Sequence, residues 1–230
     1  MREQPEQQAP PVQRLRIRYA KRGRLRFTSH RDFSRAFERA LVRARLPMAY
    51  SSGFNPHPRI SYAGAAPTGS ASEAEYLEIG LAERLDPAEV HQALDSALPD
   101  GLDVVQVAES PGGALADLLT ASGWRIDTTA DEDDLRAAVE AFLGTDSVVV
   151  ERMTKKGMRQ FDCRAAVVRL EVDGQSLVLT LQHTVPAVRP DDVLTGLRQL
   201  TGFEPGEAPL LTRSAQGRLG ETGELVDPFG

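Results

Sequence analysis

A single cysteine, Cys163, stands in 230 residues, so the chain forms no internal disulfide and cannot hold an iron–sulfur cluster through its own thiolates. No run of about 18 apolar residues occurs, so nothing in the sequence reads as a membrane span. The opening MREQPEQQAPPVQ lacks an apolar core and a cleavage pattern, so it does not read as a signal peptide; its Gln and Pro content predicts a disordered lead-in over residues 1–12. Together these absences predict a cytoplasmic chain with no membrane partner. Histidine is scarce too. The four imidazoles (His30, His57, His91, His183) show no metal-ligand spacing, and no Cys/His cluster exists, so no metal and no cofactor are expected in this chain. APTGS has too little glycine, and no lysine, to be a phosphate loop.

Positive charge, by contrast, is concentrated. Twelve of the 27 basic residues lie between Arg14 and Arg45, with only Asp32 and Glu38 against them. That segment carries about +10 while the whole chain carries −6. Eleven of the twelve are arginines, whose forked donors suit phosphate oxygens. A basic patch in an acidic chain points to a polyanion, with RNA the first candidate.

The pattern predicts an α+β fold. RLRIRY (14–19) alternates apolar Leu15, Ile17 and Tyr19 with arginines, which predicts a half-buried strand with Arg16 and Arg18 on its wet face. RLRF (24–27) reads as a second short extended piece. Ser29 caps a helix to about Arg45, with Asp32 in the capping-box position. Phe33, Ala36, Phe37, Ala40, Leu41 and Ala44 make its buried stripe, and Arg31, Arg35, Arg39 and Arg43 step by four along the other side. Met48–Ser52 and 60–63 read as extended, EYLEIGL as a strand, Asp86–Leu98 as a helix and Leu102–Val107 as a strand. The order β-α-β-β-α-β is that of a ferredoxin-like unit, and it recurs further on. WRIDTT, a helix over DEDDLRAAVEAFLG, a strand in SVVVERM, a hairpin in AVVRLEVDGQSLVLTLQHT turning at Asp173-Gly174, a helix opened by Arg189-Pro190-Asp191-Asp192 and running to about Thr201, and PLLTRSAQGRL make up the second copy. The expected organisation is two tandem ferredoxin-like units, 13–110 and 124–220, joined by 111–123 and followed by a tail over 221–230.

Three groups of side chains carry candidate chemistry. Arg16, Arg18, Arg31, Arg35, Arg39 and Arg43 are the candidate phosphate ligands. In the proline-stiffened GFNPHPR, Phe54 suits stacking on an unpaired base, Asn55 a base edge and Arg59 a phosphate; the competing reading tucks Phe54 into the core. Lys155, Lys156 and Arg159 in RMTKKGMRQFDCR form a second possible clamp or a solvated hairpin tip. His30 and His57 are weaker candidates for an acid–base pair acting on a phosphodiester, with structural roles favoured. The aromatic pattern of an RNA-recognition-motif strand is absent, since Tyr19 and Tyr76 are lone aromatics on their strands. Cys163 reads as a buried small residue.

FTSHRDFSRAFERALVRARLP, YSSGFNPHPRISYAGAAPTG, SEAEYLEIGL and TKKGMRQFDCR together resemble the radical-SAM-associated family of bacterial domains, which occur alone or at the C-terminal end of radical SAM enzymes. The resemblance spans about residues 13–220 and is most specific at GFNPHPR. It brings no established activity. It implies a radical SAM protein as partner, with the iron–sulfur cluster and S-adenosylmethionine on that partner. The expectation is an RNA-binding accessory protein that presents tRNA or rRNA for modification. The alternatives are an RNA-processing or RNA-modifying enzyme using His30 and His57, or an interaction module whose arginines dock the radical SAM partner.

Overall fold

The computed structural model describes residues 7–154 and 157–229. It is a mixed α+β structure, as the sequence predicts, and the chain divides into two compact units. The first runs to Asp117 and includes Phe229; the second is Leu118–Pro228.

In the first unit the order is β1 (Gln13–Lys21), α1 (His30–Arg43), β2 (Ile60–Ala63), β3 (Ala71–Leu81), α2 (Pro87–Ala97) and β4 (Val104–Glu109). β1 pairs antiparallel with β3 and β4, and β2 pairs antiparallel with β3, giving the strand order β4-β1-β3-β2. Leu15, Ile17 and Tyr19 of β1 and Leu77, Ile79 and Leu81 of β3 point to one face. There they meet Phe33, Phe37, Ala40 and Leu41 of α1 and Val90 and Leu94 of α2. Tyr19 stacks on Phe33 with ring centroids 4.3 Å apart, which fixes α1 against the centre of the sheet. At the N-terminus of α2, Asp86 accepts from the Ala88 amide and Pro87 occupies the first turn.

The opposite face of β1 departs from the predicted wet face. Arg16 is 1% exposed. It sits across from Glu78 on β3, with its Nε 3.5 Å from the Glu78 carboxylate, and its Nη2 donates to the Gly112 carbonyl at 2.7 Å. Arg14 and Ser110 complete the shell around Glu78 at 3.1 and 2.6 Å. Arg18 is half-buried. Alternation gives the correct side of the strand for these arginines but not its exposure, because the matching carboxylate lies 62 positions away on β3. Three other local expectations change. RLRF is a 3-10 turn (Gly23–Phe27), entered through Gly23 at φ +52°, with Thr28 N–H bonded to the Leu25 carbonyl. Met48–Ser52 contributes only single bridges, Met48 to Leu81 and Tyr50 to Pro58. The lead-in is paired at its end, where Val12 donates its amide to the Leu81 carbonyl; residues 1–6 lie outside the described residues.

The second unit contains β5 (Ala121–Asp127), α3 (Glu132–Leu143), β6 (Val149–Thr154), β7 (Gly157–Asp162), the single turn α4 (Cys163–Ala166), β8 (Val167–Asp173), β9 (Ser176–Gln182), α5 (Pro190–Thr201), β10 (Leu210–Leu219) and β11 (Leu225–Val226). Antiparallel pairing gives β10-β5-β9-β8, with β6 and β7 as a separate hairpin inserted after α3. The β8–β9 turn is Gly174-Gln175, one residue later than Asp173-Gly174, because Asp173 pairs with Ser176. Residues 121–123, read as joint, begin β5, and 225–226, read as tail, pair with β10. α3 and α5 approach closely at Gly196, where an added Cβ would lie 2.8 Å from Cys163 Sγ and 3.2 Å from Phe142.

Candidate nucleic-acid interface on the first helix

α1 is positioned by its cap and its stripe. Ser29 Oγ accepts from the Asp32 amide at 3.2 Å, and the Ser29 hydroxyl bonds the Asp32 carboxylate at 2.6 Å. The capping box therefore closes through the serine hydroxyl. With Phe33, Phe37, Ala40 and Leu41 turned into the core, geometry sends Arg31, Arg35, Arg39 and Arg43 outward, and all four are exposed. None makes an ion pair or hydrogen bond with a described residue. Each step of four residues advances about 6 Å and turns about 40°, so the ridge is about 18 Å long and curls gradually round the helix. Val42, 74% exposed, lies among these arginines beside Glu38, at the edge of a shallow depression of about 560 Å³.

Elsewhere in the basic segment the chain's own carboxylates take up the charge. Arg22 holds Glu73 and Asp103, whose hydrogen bonds keep its guanidinium more firmly protonated than usual. Lys21 is buried, and Arg14 and Arg16 share Glu78. Arg16 is thus a structural cation, and the phosphate-ligand role expected for it does not fit its burial. The available patch contracts to the α1 ridge and its flanks, Arg24 before it and Arg45 after it, both exposed.

GFNPHPR forms a closed loop. The Ser51 amide donates to the His57 carbonyl at 2.9 Å, and the His57 amide donates to Ser51 Oγ at 3.0 Å. Gly53 turns the chain at φ +132°, a conformation that favours glycine. The tip carries Phe54, Asn55, Pro56 and His57, all exposed, and Phe54 is 68% exposed rather than tucked into the core. Arg59, at the base, donates its Nε to the Tyr50 carbonyl at 3.0 Å and is half-buried. His30 meets Tyr62 edge-on at 5.0 Å, and burial pushes the Tyr62 hydroxyl up to about 12. No hydrogen bond or ring contact joins His30 to His57 among the described residues.

In the second unit Arg159 is exposed on β7, opposite Arg152. Lys155 and Lys156, the rest of the second clamp that the sequence suggests, lie outside the described residues. Arg152, which the sequence offered as part of the same basic segment, is committed to structure. It pairs with buried Asp192, donates to the Ala187 carbonyl at 3.0 Å and sits 4.2 Å over the Phe161 ring. Cys163 is fully buried, donates to the Val148 carbonyl and is pushed up to about 12 by burial and by Asp162 and Asp192, so it is no nucleophile. Among the described residues no group of three or more His, Cys, Asp or Glu side chains is placed to hold a metal ion, and no helix is long and apolar enough to cross a membrane.

Sequence reasoning missed Phe27 and Tyr50 as exposed aromatics, 58% and 42% accessible. The signal was there in the arginines and turn residues around them. The sequence reads RLRF as an extended piece, whereas Gly23–Phe27 is a 3-10 turn that leaves Phe27 exposed.

No curated protein matches the chain. A crystal structure of the first two RRM domains of yeast poly(U) binding protein is similar over 86% of this chain and 98% of that one, at 11% identity and a TM-score of 0.23, a superposition too loose to fix the fold. Residues 14–190, more than three quarters of the sequence, match the family described as "Uncharacterized protein conserved in bacteria (DUF2344)", and the chain belongs to that family.

Proposed function

We propose that this protein is an RNA-binding accessory protein, built on two ferredoxin-like units, that presents tRNA or rRNA to a separate radical SAM enzyme. The strand orders β4-β1-β3-β2 and β10-β5-β9-β8 support the reading of the units. One observation carries the RNA reading: four exposed arginines, one helical turn apart, have no carboxylate partner among the described residues of an acidic chain. Arg59, half-buried at the base of the exposed loop, and Phe54 and Asn55 would extend the contact, with Lys155, Lys156 and Arg159 as a second one; Arg18 stands on the face of β1 away from the ridge and would not reach the same RNA strand. The radical SAM partner follows from the sequence resemblance and supplies the cluster and S-adenosylmethionine.

The test is binding of total tRNA and of rRNA fragments by fluorescence anisotropy over a range of salt. Affinity that falls steeply with salt, and falls again in Arg35→Ala/Arg39→Ala, supports the reading. Undetectable or salt-independent binding refutes it. Co-purification of a radical SAM protein that survives nuclease treatment, and is lost in the same variant, would assign the ridge to protein docking instead.

A further inference from the structure

Resting on the RNA reading, we infer that the first unit selects unpaired RNA, through a track in which exposed aromatic rings stand at both ends of the arginine ridge. Among the described residues the exposed large aromatics are Phe27, Tyr50 and Phe54, and all three fall within residues 27–54, on the segments that flank α1. The second unit exposes none among its described residues.

The sheet places these rings at opposite ends of the helix. Phe27 ends the 3-10 turn that follows β1, and its Cε1 lies 3.9 Å from where a Cβ on Gly69 would sit, just before β3 begins. That is the Lys21–Ser72 end of the β1–β3 pair. Met48 bridges to Leu81 and the Ala49 amide donates to Gly80, so Tyr50 and Phe54 leave from the Gln13–Leu81 end. Between them runs α1, fourteen residues and about 21 Å, the length of about six stacked nucleotides at 3.4 Å each.

Exposed aromatic rings cost free energy in water and have no use against a duplex, whose bases are already stacked and paired. Against a single strand they offer faces that any base can cover. Phe27 already shows the geometry. The Arg26 guanidinium lies 4.4 Å over its ring, a planar cation that itself stacks with bases. Phe54 has no ring neighbour among the described residues and is held out by the Ser51–His57 closure, so its face is preorganised for a base at little entropic cost. The ridge holds the phosphates and the rings hold bases at either end. The other face of β1 and β3, where a sheet-borne stacking platform would have to lie, is closed: Tyr76 is 2% exposed and Arg16 1%.

The experiment compares a labelled single-stranded RNA of about twelve nucleotides with the blunt duplex it makes with its complement, using anisotropy on the intact protein. The wild type is expected to bind the strand at least about tenfold more tightly than the duplex. Phe54→Ala and Phe27→Ala are each expected to weaken the strand about 5- to 150-fold and leave the duplex unchanged. Both rings are exposed, so circular-dichroism melting of the variants should match the wild type. Equal affinity for strand and duplex, both weakened by Arg35→Ala/Arg39→Ala, would overturn the selectivity and leave the RNA reading standing. A strand preference untouched by either phenylalanine substitution would overturn this assignment of the track. Failure to bind either RNA would overturn both readings.

Discussion

The helix arginines and the strand arginines make opposite predictions, and substituting one of each kind separates binding from folding. If each of Arg31, Arg35, Arg39 and Arg43 neutralises one phosphate, together they contribute about −2.8 to the slope of log affinity against log salt for a single strand. Raising salt fourfold, from about 50 to 200 mM, then weakens the ridge's share of binding about 50-fold. Arg35→Ala/Arg39→Ala removes half of this share: the slope becomes shallower by about 1.4, and the ridge's share of the salt effect falls to about sevenfold. The variant should fold as well as the wild type, since alanine is the better helix former and the replaced side chains touch no described partner. Arg16→Ala should do the reverse. It leaves Glu78 buried with one cation fewer and the Gly112 carbonyl without its donor. Breaking a buried ion pair costs about 3–5 kcal/mol, and because Arg14 and Ser110 still hold Glu78 the lower end, about 3 kcal/mol, applies. The assays are anisotropy titrations at several salt concentrations and urea unfolding of each variant. An unchanged salt slope in the helix variant refutes the ridge as a phosphate contact. Wild-type stability in Arg16→Ala refutes the buried-pair account.

His183 sits at the end of a chain of hydrogen bonds, with Nδ1 against the Leu119 carbonyl and Nε2 against Ser122 Oγ, which also accepts from Trp124 Nε1. Burial, with Arg213 nearby, lowers its pKa, so the folded state binds the proton less readily than the unfolded one. Stability should therefore be intact above about pH 6.5 and fall as the pH drops below it; His183→Gln should flatten that part of the profile, and a wild-type profile level from pH 7 to 5 would contradict this. Gly196→Ala drives a methyl against Cys163 and Phe142 and should cost about 1–3 kcal/mol in urea unfolding, whereas an unchanged midpoint would mean that α3 and α5 part easily. Cys163 should resist a thiol reagent at pH 8 in the native protein and react at once in denaturant; fast native labelling would show that the site opens.

α1 is legible in the sequence because its signal is local. Ser29, Asp32, the apolar stripe and the arginine period all lie within one stretch, and the helix has the face that the stripe dictates. α5, from Pro190 to Thr201, is legible for the same reason. Arg16 is not, since its fate depends on Glu78 across the sheet and on a loop carbonyl at Gly112, neither visible from period-two alternation. Arg22 and Arg152 fail similarly, each claimed by acids remote in sequence. For Phe54 the residues named the chemistry but left open whether the ring was inside or out. The bond between Ser51 and His57, six residues apart, is what holds the loop tip outward.

Four guanidiniums stacked at successive turns also repel one another. Each of the three adjacent like-charged pairs weakens the helix by about 0.2–0.5 kcal/mol, an internal tension of about 1 kcal/mol that no ion pair with a described residue relieves, although Glu38 lies beside the ridge. Any polyanion that settles along α1 lifts that tension as it binds, so occupancy and the rigidity of the helix rise together, and the first unit is at its firmest only when loaded.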